Sequence, residues 1–144
     1  MQKTEIEKPV NTPTVIRQHQ TDICILVVED DPEMQSFISS QLGNAYSVMN
    51  ASNGKEALKI LSENTISLVV SDVMMPEMNG YETTKAIRNL SGRPDGKKIP
   101  IIAMTANAFQ DDIRDCIDAG MNAHIAKPID IKTILAVFDQ VFGV

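Results

Sequence analysis

Four short apolar runs of this 144-residue sequence lead directly into side chains that could do chemistry. Taken singly, each of these polar residues has a structural interpretation, because acidic residues and threonine cap helices and proline favours turns. As a set, however, they combine several carboxylates with one hydroxyl and one ammonium group. In chain order they are Glu29, Asp30 and Asp31, then Asp72, then Thr105, and finally Lys127 before Pro128.

Carboxylates brought together would repel one another, which raises their pKa values and costs stability unless a cation is bound. A hard divalent ion that accepts carboxylate and phosphate oxygens would relieve the repulsion, and Mg²⁺ is the natural candidate. No histidine or cysteine stands in the set, so we do not expect zinc. Asp72 could act as a nucleophile and form an acyl phosphate, while Lys127 and Thr105 bind the phosphoryl oxygens.

The elements that must position these residues begin with a continuous apolar, β-branched run at residues 23–28, which predicts a strand buried on both faces. Further strands are predicted at residues 45–49, 66–71, 99–104 and 123–126. A helix pattern follows each strand, with capping residues or glycines at its ends. The predicted helices start after Asp31, Asn53, Asn79, about Asn107 and Asp130, and the third ends near residues 91–92.

Five strand–helix pairs joined by short connections predict an α/β fold with a doubly wound, five-stranded parallel sheet and helices on both faces. In strand order 2-1-3-4-5, the first, third, fourth and fifth strands are neighbours. The polar residues that follow them should therefore meet at one edge of the sheet, where ligands of such folds bind. This convergence favours a functional site over four unrelated caps and turns.

Composition limits the class of protein. We predict that residues 1–22 are a linker or disordered arm, because they contain two prolines, show no apolar period and carry no net charge. Residues 23–144 then form one domain that carries the full net charge of −6, which argues against direct binding of nucleic acid. No apolar run is long enough for membrane insertion, and the start of the sequence leads us to expect no signal peptide. Two cysteines suit a reduced, cytoplasmic or cytoplasm-facing compartment.

Four segments closely resemble the receiver domains of two-component response regulators, and the resemblance covers about residues 23–144 in order and spacing. It implies a flavodoxin-like receiver fold in which Asp72 accepts a phosphoryl group from a histidine kinase or a histidine phosphotransfer domain. It also implies a cis peptide bond before Pro128. The segments are Val27-Val28-Glu29-Asp30-Asp31, residues 71–80 (SDVMMPEMNG), Met104-Thr105-Ala106 and Ala126-Lys127-Pro128-Ile129.

The same resemblance implies a magnesium site and a conformational switch. Mg²⁺ would be held by Glu29, Asp30, Asp72 and the backbone carbonyl of Met74. Glu29 stands where Asp is more frequent, which keeps the charge but lengthens the side chain. Thr105 and Lys127 would contact the phosphoryl group. Phosphorylation would draw Thr105 inward and reshape the face of the fourth helix, fifth strand and fifth helix, where His124 replaces the usual Tyr or Phe partner.

Residues 105–128 are most similar to the carboxyl-terminal receivers of hybrid sensor histidine kinases, and a stand-alone single-domain response regulator is the alternative. Such a domain is a signalling switch that assists its own phosphorylation and dephosphorylation. A phosphatase of the haloacid dehalogenase type is less favoured, because Asp72-Val73-Met74 lacks the second Asp of its motif. A flavodoxin is disfavoured because acidic residues 29–31 would repel a cofactor phosphate. A binding module whose site is inactive is also disfavoured, because the residues needed for phosphorylation are all present.

Overall fold

The computed structural model describes residues 23–75, 77–90, 94–106 and 110–142, and it places five parallel strands in one sheet. The strand order β2-β1-β3-β4-β5 confirms the predicted topology. The predicted arm at residues 1–22 and the predicted helix start at Asn107 lie outside the described residues. The strands are β1 (Cys24–Val28), β2 (Ser47–Ala51), β3 (Leu68–Asp72), β4 (Ile101–Thr105) and β5 (Ala123–Ala126).

A helix follows each strand, and a short 3₁₀ helix, Pro94–Lys97, precedes β4. The side chain of Asp31 caps the first helix, and Pro occupies that helix's first turn, as predicted. Asn79 and Glu82 form a complete capping box at the third. The helices are α1 (Pro32–Leu42), α2 (Gly54–Glu63), α3 (Gly80–Arg88), α4 (Gln110–Ala119) and α5 (Ile131–Phe142).

The core lies in two layers, one on each face of the sheet. Alternate residues of β1 and β4 enter opposite layers: Leu26 and Ala103 lie in one, and Ile25 and Met104 in the other. The first layer includes residues of α2, α3 and α4, and the second residues of α1 and α5. Because helices cover both faces, the central strands are buried on both sides, as the apolar runs predicted.

Several predicted boundaries are displaced by two to four residues. Strand β2 was expected at residues 45–49 but begins at Ser47, because the backbone N–H groups of Ala45 and Tyr46 still bond to the carbonyl of Leu42 in the turn after α1. Helix α3 was expected to continue to residues 91–92 but ends at Arg88. No helix among the described residues combines the length and apolar character that crossing a membrane requires.

Candidate functional site

The register of the sheet brings the predicted site residues to its carboxyl edge. Asp72 ends β3 opposite Met104, and Thr105 ends β4 opposite Ala126. Glu29 and Asp30 directly follow β1, the neighbour of β3, and Lys127 directly follows β5. The convergence expected from the strand order is therefore present in the structure.

We call Glu29, Asp30 and Asp72 the acidic cluster. One carboxylate oxygen from each lies within 4.8 Å of the others. Glu29 is 1% exposed and Asp72 4%, whereas Asp30 is exposed to solvent. Three oxygen donors this close, with one side open, fit a hard divalent cation that keeps some of its water.

Lys127 contacts the two buried carboxylates of the acidic cluster. Its Nζ lies 3.2 Å from Oδ1 of Asp72 and 3.5 Å from Oε1 of Glu29. Its backbone N–H donates to the carbonyl of Thr105 at 2.8 Å, and the peptide bond to Pro128 is cis, as the resemblance implied. One ammonium group thus faces two buried carboxylates at the edge of the sheet.

The electrostatics of Glu29 and Lys127 reflect this crowding. Burial, followed by repulsion from Asp72, raises the pKa of Glu29 to about 7, although the N–H of Asp31 and the charge of Lys127 oppose the rise. For Lys127, burial lowers the pKa, but attraction to Asp72 and Glu29 outweighs burial and the net pKa is raised. The lysine therefore stays protonated at neutral pH.

The loop after β1 is held by side chains as well as by backbone bonds. The N–H of Asp31 donates to Oε2 of Glu29 at 3.1 Å, so the longer carboxylate has a fixed partner. The side-chain amide of Gln35 on α1 donates to the carbonyls of Glu29 and Ala51, at 3.1 and 3.2 Å. Sequence reasoning missed Gln35, because nothing in the sequence distinguishes it from an ordinary helix glutamine.

The segment after β3 packs tightly against the start of α3. Gly80 donates its N–H to the carbonyl of Val73 at 2.9 Å, and a methyl group at residue 80 would lie 2.5 Å from the carbonyl oxygen of Asp72. The Asn79-Gly80 pair predicts a helix start and belongs to the segment that carries the family resemblance, but the sequence alone does not indicate this close approach to Asp72. The N–H of Met74 lies 3.3 Å from Oδ1 of Asp72, and the side chain of Met74 is exposed.

Thr105 and His124 lie on adjacent strands. Thr105 is 6% exposed at the end of β4. His124 pairs with Ala103, two residues before Thr105, so strand alternation puts all three side chains on the same face of the sheet. His124 is partly buried, and its pairing partner on β4 is the small residue Ala103.

Comparison with known proteins identifies the family. A family model described as the response regulator receiver domain matches residues 25–139. The sensor histidine kinase RcsC of Salmonella typhimurium is 39% identical over 123 residues, which cover 83% of this chain but 12% of that kinase. The chain therefore corresponds to a small part of that relative's length.

Solved structures agree with this assignment. The receiver domain of the sensor histidine kinase PA1611 from Pseudomonas aeruginosa, crystallised with a magnesium ion coordinated in its active site cleft, is 32% identical with a TM-score of 0.76, covering 85% of this chain and 98% of that one. A chain from the co-crystal of the Saccharomyces cerevisiae phosphotransfer protein Ypd1 with the receiver domain of Ssk1 is 29% identical with a TM-score of 0.75, covering 82% of this chain and 87% of that one. The chain therefore belongs to the response regulator receiver domain family of two-component signalling, and a phosphoacceptor role follows from that membership.

Proposed function

We propose that Asp72 is the phosphoacceptor of this chain and takes its phosphoryl group from the phosphohistidine of a histidine kinase or a histidine phosphotransfer domain. The observation that carries the assignment is the position of Asp72, 3.2 Å from the ammonium group of Lys127 and within the acidic cluster. The nucleophilic carboxylate of Asp72 thereby lies next to the ammonium group of Lys127, which can bind phosphoryl oxygens. It also lies next to the carboxylates of Glu29 and Asp30, which can bind a metal ion.

In the proposed transfer, a carboxylate oxygen of Asp72 bonds to phosphorus while the phosphorus–nitrogen bond to the donor imidazole breaks. The electron pair of the broken bond returns to the imidazole nitrogen, and the product is an acyl phosphate on Asp72. Lys127 moves from carboxylate contact to a phosphoryl oxygen, and the hydroxyl of Thr105 donates to another. Both residues follow or end strands that lie on the same side of β3, which supports these roles.

The acidic cluster and the backbone carbonyl of Met74 would hold Mg²⁺ in this proposal. The ion supplies charge compensation for the transferred group when it is bound. Receiver domains bind Mg²⁺ in the active site. The pKa of Glu29 is raised mainly by burial and further by repulsion from Asp72, and a bound cation would favour the ionised carboxylate that both effects disfavour. The donor set, all oxygen, also fits Mg²⁺ better than a softer metal.

The proposed output is a two-state change that starts at Thr105. Contact of its hydroxyl with a phosphoryl group draws the residue toward Asp72 and vacates space on the face that it shares with His124. His124, which pairs with Ala103, can then move into the space that Thr105 vacates, which alters the surface of α4, β5 and α5. In this proposal the imidazole of His124 takes the role that the ring of Tyr or Phe takes in many receivers.

The partners in this proposal are other proteins of a phosphorelay. Receiver domains interact with histidine kinases or phosphotransfer proteins, as in the Ypd1–Ssk1 complex. The likeness to RcsC supports the further proposal that this domain serves a hybrid sensor histidine kinase, with the stand-alone regulator as the alternative. Phosphotransfer from a separately purified phosphotransfer domain to this chain, followed by autoradiography, tests whether it accepts from such a donor.

The phosphoacceptor assignment is tested by incubating the protein with a small phosphodonor and Mg²⁺ and measuring its intact mass. We expect the mass of one phosphoryl group to be added to the wild type and to Asp115→Asn, which removes an exposed carboxylate from α4. Asp72→Asn should gain nothing. Unchanged wild-type mass, under conditions in which another receiver domain reacts, would refute the proposal.

A further inference from the structure

We infer that Gln35 is a positioning residue for the magnesium site: its side-chain amide fixes the backbone from which the carboxylates of Glu29 and Asp30 project. The inference rests on the proposed function, because it assumes that the acidic cluster binds Mg²⁺. It concerns a residue that touches neither the metal ligands' carboxylates nor the phosphoryl site and acts only through the peptide backbone.

Gln35 joins three elements at the carboxyl edge of the sheet. Its Nε2 donates to the carbonyl of Glu29 at 3.1 Å and to the carbonyl of Ala51, the last residue of β2, at 3.2 Å. Glu29 N–H also donates to Ala51, at 3.0 Å. The backbone N–H of Gln35 donates to Asp31 at 2.9 Å, so the glutamine is itself fixed in α1. One amide group thus uses both of its hydrogens to tie α1 to the metal-site loop and to β2.

The carbonyl that Gln35 holds belongs to the peptide between Glu29 and Asp30. Asp30 is exposed, so its carboxylate is held by a side-chain hydrogen bond with Glu29 rather than by packing, and the orientation of that peptide sets the position from which the side chain starts. Repulsion from the other two carboxylates favours movement of Asp30 toward solvent. A restraint on the peptide opposes that movement before any cation arrives.

Mg²⁺ makes such a restraint important, because it demands near-ideal octahedral geometry and binds weakly to ligands that must first be reorganised. Groups that orient metal ligands from behind typically change metal affinity by about 10- to 100-fold when removed. The side chain of Glu29 has its own anchor in the N–H of Asp31. The Glu29–Asp30 peptide depends on Gln35, so we expect the loss to come mainly through Asp30.

The same helix provides a matched control. One turn after Gln35, the hydroxyl of Ser39 donates to Oδ1 of Asn50 at 2.7 Å, which again joins α1 to β2. This bond involves neither the loop after β1 nor the carbonyl of Ala51. Ser39→Ala therefore removes a helix-to-strand hydrogen bond of comparable length without releasing the metal-site loop.

The experiment titrates the full chain with Mg²⁺ and follows backbone amide resonances by NMR, well below the melting temperature of each variant. We expect Gln35→Met, which keeps length and helix propensity but removes the donors, to weaken Mg²⁺ binding about tenfold. Gln35→Asn, which retains the amide but shortens its reach, should lose less. Ser39→Ala should bind Mg²⁺ as the wild type does, even if its unfolding midpoint in urea is lower.

Each outcome of the titration decides something. Equal Mg²⁺ affinity in the wild type and Gln35→Met would overturn the inference while leaving the proposed function intact. Failure of the wild type itself to bind Mg²⁺ would instead count against the proposed function. A loss in Ser39→Ala as large as that in Gln35→Met would show that any weakening of the contact between α1 and β2 suffices, and would also overturn the inference.

Discussion

The carboxylate of Glu29 is buried beside that of Asp72, and burial does more than the neighbouring charge to raise its pKa to about 7. In an unfolded chain the same group would titrate near 4.5. The folded protein therefore keeps a proton on Glu29 over a range of pH in which the unfolded chain releases it. Glu29 is consequently a residue through which pH acts on the stability of the metal-free domain.

We predict that the metal-free protein loses stability as pH rises from about 4.5 to about 7. Below this window Glu29 is protonated in both states, and within it only the unfolded chain gains from ionisation, so unfolding becomes easier. Above the window the effect is complete and stability levels off. Urea unfolding in the presence of a chelator, at pH 5 and pH 8, measures the change.

Glu29→Gln is the control for this prediction, because it keeps the shape of the side chain and removes its titration. We expect the loss of stability between the two pH values to be smaller in the variant than in the wild type. Identical losses in the two proteins would show that the effect does not come from Glu29.

At the scale of elements, the start of α3 supports Asp72 from behind. A methyl group at Gly80 would lie 2.5 Å from the carbonyl oxygen of Asp72 and 2.9 Å from the Cα of Val73. Both neighbours are backbone atoms, so neither can rotate away as a side chain could. The helix and the end of β3 can be this close only because residue 80 has no side chain.

We predict that Gly80→Ala separates α3 from the end of β3, which lowers the free energy of unfolding by about 1–3 kcal/mol and slows phosphorylation. Phosphorylation slows because the displaced backbone carries Asp72 away from Lys127. Urea unfolding and the rate of mass gain with a small phosphodonor measure the two effects.

Gly120 supplies the comparison for Gly80→Ala. It lies after α4, away from the site, with a φ of +105° that strains any other residue. Gly120→Ala should lower stability without slowing phosphorylation of the folded protein. If both variants slow the reaction equally, close packing at Gly80 has no particular role at the site.

The sequence predicts the sheet and the convergence of the site because both follow from local signals. Apolar β-branched runs mark the strands, and residues such as Asp31 and Asn79 mark helix starts. The strand ends depend on which backbone hydrogen bonds form after folding: β2 begins at Ser47 rather than at residue 45 because Ala45 and Tyr46 bond to Leu42. The roles of Gln35 and Gly80 depend on which carbonyls lie opposite them after folding, and no local pattern encodes that.

At the scale of the whole molecule, a net charge of −6 accompanies a site whose three carboxylates lie at one edge of the sheet. β1 and β3 are hydrogen-bonded neighbours buried between the two core layers, so moving them apart to relax the acidic cluster would cost sheet hydrogen bonds and core contacts. Its repulsion is therefore a cost to the fold of the metal-free domain. A cation that binds only the folded state offsets this cost and acts as a folding ligand.

We predict that Mg²⁺ at a tenfold excess over its dissociation constant stabilises the protein by about 1.4 kcal/mol, whereas NaCl at equal ionic strength does not. Asp30→Ala should raise the stability of the metal-free protein, because it removes one of the repelling charges, and should abolish the Mg²⁺ effect. Thermal unfolding with and without each salt measures both changes. A wild-type melting temperature that Mg²⁺ leaves unchanged would mean that the acidic cluster is not a magnesium site. A metal-free Asp30→Ala that is less stable than the metal-free wild type would mean that repulsion within the acidic cluster is not a cost to the fold.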